Sequence, residues 1–264
     1  MALSRQQKLV VILLLIYWPS LFVLAHIPIP RLVREAGVSD KGLHFLAYMV
    51  LIFLFWSAIN PHKKVNWRKP AVWWVLLVIG GYGLIDELLQ KCVAGRTCDA
   101  NDLIANLAGM LTGLALLSVF DFRTTSIVVT GGSIFVLTNL TRVNPADLLP
   151  ITDTVFHLSA YAFFTLLWIW YISAWPLPRV AGLISPRPRA GGLATAIAAP
   201  VGLVLAAKLG SIALGRNFGM RNVIVSTAAI AVVVGTMFLA RLYKNQISKI
   251  NPPDVRRIKN QNLS

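Results

Sequence analysis

Apolar runs of about twenty residues recur along this chain, and nothing constrains its fold more. A run of that length spans the hydrocarbon core of a bilayer as a helix. Eight such runs are read here, at about 8–25, 43–60, 71–91, 102–120, 125–141, 154–174, 193–214 and 222–243. Inside a bilayer every backbone N–H and C=O must be satisfied internally, which helices do. The fold class expected is therefore all-α: a polytopic membrane protein of about eight transmembrane helices. Composition agrees, with 56% hydrophobic residues and a mean hydropathy of +0.68. The first run ends in the Pro-rich "HIPIP" and lacks a small-residue cleavage site, so it reads as a retained helix and not a signal peptide.

The net charge of +15 does not point to nucleic acid in such a chain; none is expected as a partner. It fits the positive-inside bias of membrane proteins. An even helix count places both termini on one side. That side holds Arg5, Lys8, Lys63, Lys64, Arg68, Lys69, Arg123, Arg179, Arg187, Arg189, Arg241, Lys244, Lys249, Arg256, Arg257 and Lys259. The other holds only Arg31, Arg34, Lys41, Lys91, Arg96, Arg142, Arg216 and Arg221, with Lys208 inside the seventh run. Both termini are expected in the cytoplasm of a multi-pass cell-membrane protein.

The chain also repeats itself. "DKGLHFLAY" at Asp40–Tyr48 matches "DTVFHLSAY" at Asp153–Tyr161 in Asp, His, Ala and Tyr, at an offset of 113. "VAGR" at Val93–Arg96 matches "ALGR" at Ala213–Arg216, at an offset of 120. Four helices per copy would give both copies the same orientation, as in parallel membrane repeats. The expected organisation is a four-helix unit at 1–122, a degenerate copy at 123–243 and a basic tail at 244–264. The copies differ in charge. At the second offset Asp86, Glu87, Gln90, Asp99 and Asp102 become Ala206, Ala207, Gly210, Gly219 and Asn222, and Asn106 becomes Ser226. A shape needed by both copies but carboxylates held by one suggest a single site.

The candidate site residues follow. Asp40, His44 and Tyr48 are spaced by four and line one face at the start of the second helix. Asp40 also reads as a helix cap, and His44 as a hydrogen-bonded core residue. Asp86 and Gln90 share a face near the end of the third helix, with Glu87 about a hundred degrees round. Ionisable groups there are expensive and usually turn toward partners or water. Asp99, Asp102 and Asn106 form a polar stripe at the start of the fourth helix, where Asp99 can cap it. Arg96 can neutralise these carboxylates or hold an anion. Catalytic candidates are Asp40, His44, Asp86, Glu87, Arg96, Asp99 and Asp102. Binding candidates are Tyr48, Gln90, Arg96 and Asn106. Gly109 and Gly113 make a G-x-x-x-G pattern, whose plain meaning is close helix packing. Cys92 and Cys98 allow a disulfide but do not require one. The spacing commits to no metal, and no cofactor is assigned.

"SDKGLHFLAY", followed by "DELLQ…GRTCDANDLIANLAGMLTG", resembles the VanZ-like family of integral membrane proteins. The family's run maps onto Asp40, Lys41, His44, Phe45 and Tyr48; Asp86, Glu87 and Gln90; Gly95, Arg96, Asp99 and Asp102; Asn106 and Gly109. The second half keeps Asp153, His157, Tyr161, Gly215 and Arg216 and departs elsewhere. The resemblance implies a cell-envelope protein linked to glycopeptide (teicoplanin) resistance. It could act on or bind a lipid-linked or cell-wall precursor at the outer interface. Two alternatives stand beside that expectation: a non-catalytic scaffold or accessory subunit meeting other membrane proteins, and a transporter. Expected partners are the lipid bilayer and a lipid-linked or anionic small molecule.

Overall fold

The computed structural model of the chain describes residues 3–26, 40–61, 63–93, 98–140, 150–173, 190–215 and 218–250. Eight helices and no strand occur among them. They are α1 (Arg5–His26), α2 (Asp40–Ile59), α3 (Pro70–Gln90), α4 (Ala100–Val119), α5 (Phe122–Leu140), α6 (Pro150–Ser173), α7 (Ala190–Ala213) and α8 (Met220–Ile250). Seven are long and apolar enough to cross a membrane. The eighth, α5, carries Arg123, Thr124, Thr125, Ser126, Thr130, Ser133, Thr138 and Asn139 on its nineteen residues. That polarity separates it from the other seven. Some of it is silenced within the helix: Ser126 Oγ donates to the Phe122 carbonyl at 2.7 Å and Asn139 Nδ2 to the Phe135 carbonyl at 2.9 Å. The polypeptide is thus an all-helical, multi-pass membrane protein.

Helix ends follow local sequence. Pro70 begins α3, where its missing N–H costs nothing, after Lys69 in extended conformation. Asp99 caps α4, its side chain accepting from the Asn101 amide at 2.9 Å. Gly215 adopts φ +62° just after α7, a left-handed turn that glycine takes without strain.

The helices pack in two groups whose neighbour schemes agree in part; α6 also packs on α7, whereas α2 and α3 make little contact. α1 and α4 each contact α2 and α3; likewise α5 and α8 each contact α6 and α7. The most extensive pair in each group is also equivalent, α2 with α4 and α6 with α8. α5 joins the groups by touching α2 and α4. At the end of the molecule formed by the close of α4 and the start of α5, Phe53 stacks on Phe122 at 5.5 Å and Arg123 lies 4.4 Å over the Trp170 ring. α2 is the central element, with 61% of its span buried against 11% for α1. α1 leaves Leu15, Ile16 and Leu24 outward, as expected of a helix facing lipid tails.

Two glycines bring α2 and α4 together. A Cβ on Gly109 would fall 2.2 Å from the Phe45 carbonyl oxygen, and one on Gly113 would fall 2.4 Å from Ile52 Cγ2. The G-x-x-x-G pattern is therefore a packing device. It fixes the start of α2, and with it His44, against the start of α4.

Candidate functional site

The ends of α1 and α3 and the starts of α2 and α4 meet at one end of the first group. His44, from the first turns of α2, is 8% exposed, and Asp86, Glu87 and Gln90, from the last turn of α3, are each 2% exposed. Asp102 and Asn106, from the first turns of α4, are 4% and 1% exposed. So many polar groups inside a membrane protein must be held by one another or by a ligand.

Two linked clusters result. In the first, His44 Nδ1 donates to Asn106 Oδ1 at 3.0 Å and His44 Nε2 faces Asp102 Oδ2 at 3.9 Å. Glu87 Oε1 accepts the Asp99 amide at 2.9 Å, tying α3 to the cap of α4. One ligand atom each from His44, Glu87 and Asp102 lies within 4.8 Å of the others. In the second, Gln90 Nε2 donates to Asp86 Oδ2 at 3.2 Å and His26 Nδ1 approaches Asp86 Oδ1 at 3.8 Å. At the rim, Lys41 Nζ donates to Asp99 Oδ2 at 3.3 Å. The amide of Asn101 first, and Lys41 after it, hold the Asp99 carboxyl below the usual carboxylate range.

Asp86 and Glu87 therefore meet different partners, yet both are buried, because α3 is covered on two sides by α1 and α4. Asp40 is the first residue of α2; its side chain, like the segment carrying Arg96, lies outside the described residues. The expected reach of Arg96 to a carboxylate falls there as well. Cys92 and Cys98 are both free and exposed.

Tyr48, one turn deeper than His44, is 1% exposed and packs under Gly83, where an added Cβ would sit 3.0 Å from Tyr48 Cε1. It closes one wall of a cavity of about 480 Å3. That cavity lies between α1, α2, α3 and α5, and Tyr17, Leu21, Leu24, Leu43, Ala47 and Leu137 make most of its wall. Ser20, His44, Asp86 and Ser133, with the hydroxyls of Tyr17 and Tyr48, are its polar groups. Sequence reasoning missed His26 and Ser133. His26 closes α1 on the side where the acidic residues gather, which was a usable signal; Ser133 on α5 had none.

The VanZ/LLP1 family matches residues 7–121. That segment ends where α5 begins, and it contains the four helices that carry the buried polar clusters; the cavity also uses α5. Over that segment the chain is similar to the VanZ-like family of membrane proteins. It is also similar to an uncharacterized protein of the fission yeast Schizosaccharomyces pombe, 28% identical over 123 residues, which are 46% of this chain and 68% of that protein. No solved structure matches the chain at a significant level.

Proposed function

We propose that this protein binds, and acts on, an amphiphilic lipid-linked molecule at the outer membrane interface. One observation carries the reading: the largely apolar cavity of about 480 Å3 has His44 and Asp86 of the buried polar clusters in its wall. A hydrocarbon tail fits the apolar wall, burying surface worth about 25 cal/mol per Å2. A polar headgroup would then meet His44 and Asp86, either of them available as a general base. A cell-wall precursor carried on a lipid has that chemistry, and the link to glycopeptide resistance enters on the same footing. Such a tail would pass between α1 and α2. α1 is the helix least covered by protein, so it is the natural side of access from lipid.

The test is retention of a polyprenyl phosphate by the full chain in nanodiscs, read by native mass spectrometry. Ala47→Phe fills the cavity and Asp86→Asn neutralises the cluster; each should lower retention at least about tenfold, or 1.4 kcal/mol. Unchanged retention in both sinks the reading. It would leave the scaffold alternative, which the tight α2–α4 packing favours.

The sidedness of the site is part of the same proposal. The acidic end is outward and both termini are cytoplasmic by the distribution of Lys and Arg, which requires α5, more polar than the other seven helices, to cross the membrane as an eighth span. Because Cys92 and Cys98 are free and exposed beside the site, a membrane-impermeant maleimide should label intact cells. Labelling only after lysis reverses the topology. We further propose that the second helix group arose by duplication of the first, on the repeated motif and the shared part of the neighbour scheme.

A further inference from the structure

We infer that His44, Glu87 and Asp102 form a binding site for one divalent transition ion of the Zn2+ class, each donating one ligand. Their donor atoms lie within 4.8 Å of one another, so small side-chain shifts bring all three onto one ion at metal bonds of about 2.0–2.2 Å. The residues come from three helices, so the site is assembled by the fold and is not a run of neighbouring acids.

The imidazole is prepared for a metal. Asn106 Oδ1 can only accept, so His44 Nδ1 carries the proton at that 3.0 Å contact. In neutral His44 the lone pair is then on Nε2, which faces Asp102 Oδ2 at 3.9 Å. A side-chain acceptor on the remote nitrogen is the usual support of a metal-binding histidine.

Glu87 supplies the independent observation. It is 2% exposed. Its Oε1 accepts the Asp99 amide, which fixes the carboxylate in place, while Oε2 has no hydrogen-bond partner among the described residues. No Lys or Arg among the described residues forms an ion pair with Glu87; Lys41 pairs with Asp99 instead. A buried carboxylate oxygen without a partner is expensive, and a dication removes that penalty. One nitrogen and two carboxylate oxygens suit an ion of intermediate softness better than Mg2+ or Ca2+, which take oxygen sets. Three protein ligands leave a position open to water or to a ligand oxygen.

The site does not depend on the lipid reading, because the metal alone is the probe. The full-length, tag-free chain in nanodiscs, with Cys92→Ser and Cys98→Ser to remove thiols, is stripped with chelator. It is then titrated with Zn2+ by calorimetry and by thermal shift. One ion per chain is expected, with a rise in Tm. Glu87→Gln, which keeps shape and the bond from Asp99, should weaken Zn2+ at least about 100-fold, and His44→Gln likewise. Asn106→Ala should weaken it about tenfold. Asp121→Asn, at the opposite end of α4, should leave it unchanged. Folding of each variant is checked by its elution as a monodisperse species. No stoichiometric Zn2+ in the Cys-free chain, equal affinity in Glu87→Gln, or Mg2+ binding as tight as Zn2+ would each overturn the assignment.

Discussion

If the second helix group is a copy of the first, as proposed above, the two fill the equivalent place with opposite chemistry. Where α4 starts, the Asp99 carbonyl accepts from the Asp102 and Leu103 amides; where α8 starts, the Gly219 carbonyl accepts from Asn222 and Val223. The turn is the same and its surroundings are not. In the first group Glu87 Oε1 takes the amide of Asp99. In the second, Ser211 Oγ takes the amide of Phe218 at 2.9 Å, and Lys208 Nζ donates to the Phe218 carbonyl at 2.6 Å. Phe218 is 2% exposed and its ring lies 5.3 Å from that of His157. An aromatic plug thus stands where the first group gathers carboxylates. His157 is served by its own helix, at 3.4 Å from Asp153. A histidine, a tyrosine and a tight turn are therefore what the architecture needs. The carboxylates are what it can do without, and this is why we read them as function.

Ala206, Ala207 and Gly219 stand at the offset of 120 from Asp86, Glu87 and Asp99. Ala207 is buried, but Ala206 is exposed. Phe218, at the offset of 120 from Cys98, does the closing, and nothing in the alternation of apolar residues marked it.

The largest effect should come from forcing the second group to resemble the first. Ala207 is 0% exposed, so Ala207→Glu buries a carboxylate within the membrane span, next to the apolar plug. We expect a loss of about 3 kcal/mol or more, seen as failure to fold or a steep fall in Tm by intrinsic Trp fluorescence. The reverse change, Glu87→Ala, strands only the Asp99 amide and should cost about 1–2 kcal/mol. If Ala207→Glu proves the milder of the two, Lys208 has left the Phe218 carbonyl for the new carboxylate, and the contrast drawn above is wrong.

Next comes the helix interface. Gly109 has Ala229 as its counterpart at the offset of 120. Gly109→Ala drives a Cβ onto a backbone carbonyl, which cannot swing away, and should cost about 2–3 kcal/mol. Ala229→Gly removes a methyl from a helix interior and should cost about 1 kcal/mol. Thermal unfolding in one detergent compares them. Equal losses would mean that α2 and α4 yield as readily as α6 and α8.

Histidine exchange is smaller but more telling. His44→Gln and His157→Gln keep a polar side chain and should each lower stability by about 1 kcal/mol. Only His44→Gln should abolish the rise in Tm on adding Zn2+. A loss of that response in both variants would move the ion away from α2.

The helices were legible in the sequence because membrane spans announce themselves by length and hydropathy, and turns by Pro70, Asp99 and Gly215. The site was legible for a different reason. Ten acidic residues in the whole chain made the group between Asp86 and Asp102 conspicuous, and the i, i+4 spacing put His44 beside Tyr48 before any contact was known. Three things were hidden. The cavity needs four helices to exist, and pairwise spacing within a helix says nothing of a space between helices. His26 belongs to the site through the end of α1, which no repeat or motif marks; its one signal is that α1 ends on the side where the acidic residues gather. The burial of both Asp86 and Glu87 comes from α1 and α4 covering α3 from two sides, whereas a helical wheel assigns only one face to the interior.

The smallest expected effect isolates the cap of α4, which titrates, from that of α8, which does not. Asp99 lies outside the membrane span and its carboxyl is held below its ordinary value, first by the Asn101 amide and then by Lys41. A carboxyl lowered by folding contributes its stability above the unfolded-state value and loses it as pH falls through the lowered one. Asp99→Asn keeps the capping oxygen, since Asn caps as well as Asp, but loses the charge that faces Lys41 and the helix N-terminus. The variant should therefore trail the natural chain slightly at neutral pH. The gap should close as pH is lowered through the carboxylate range, and added salt should shrink it because Lys41 and Asp99 are both accessible to solvent. Gly219 offers no titratable group at the start of α8, so Gly219→Ala should show no such convergence in the same Tm-against-pH series. If the Asp99→Asn gap instead widens toward acid, the cap is not what titrates, and the pH response belongs to the buried carboxylates behind it.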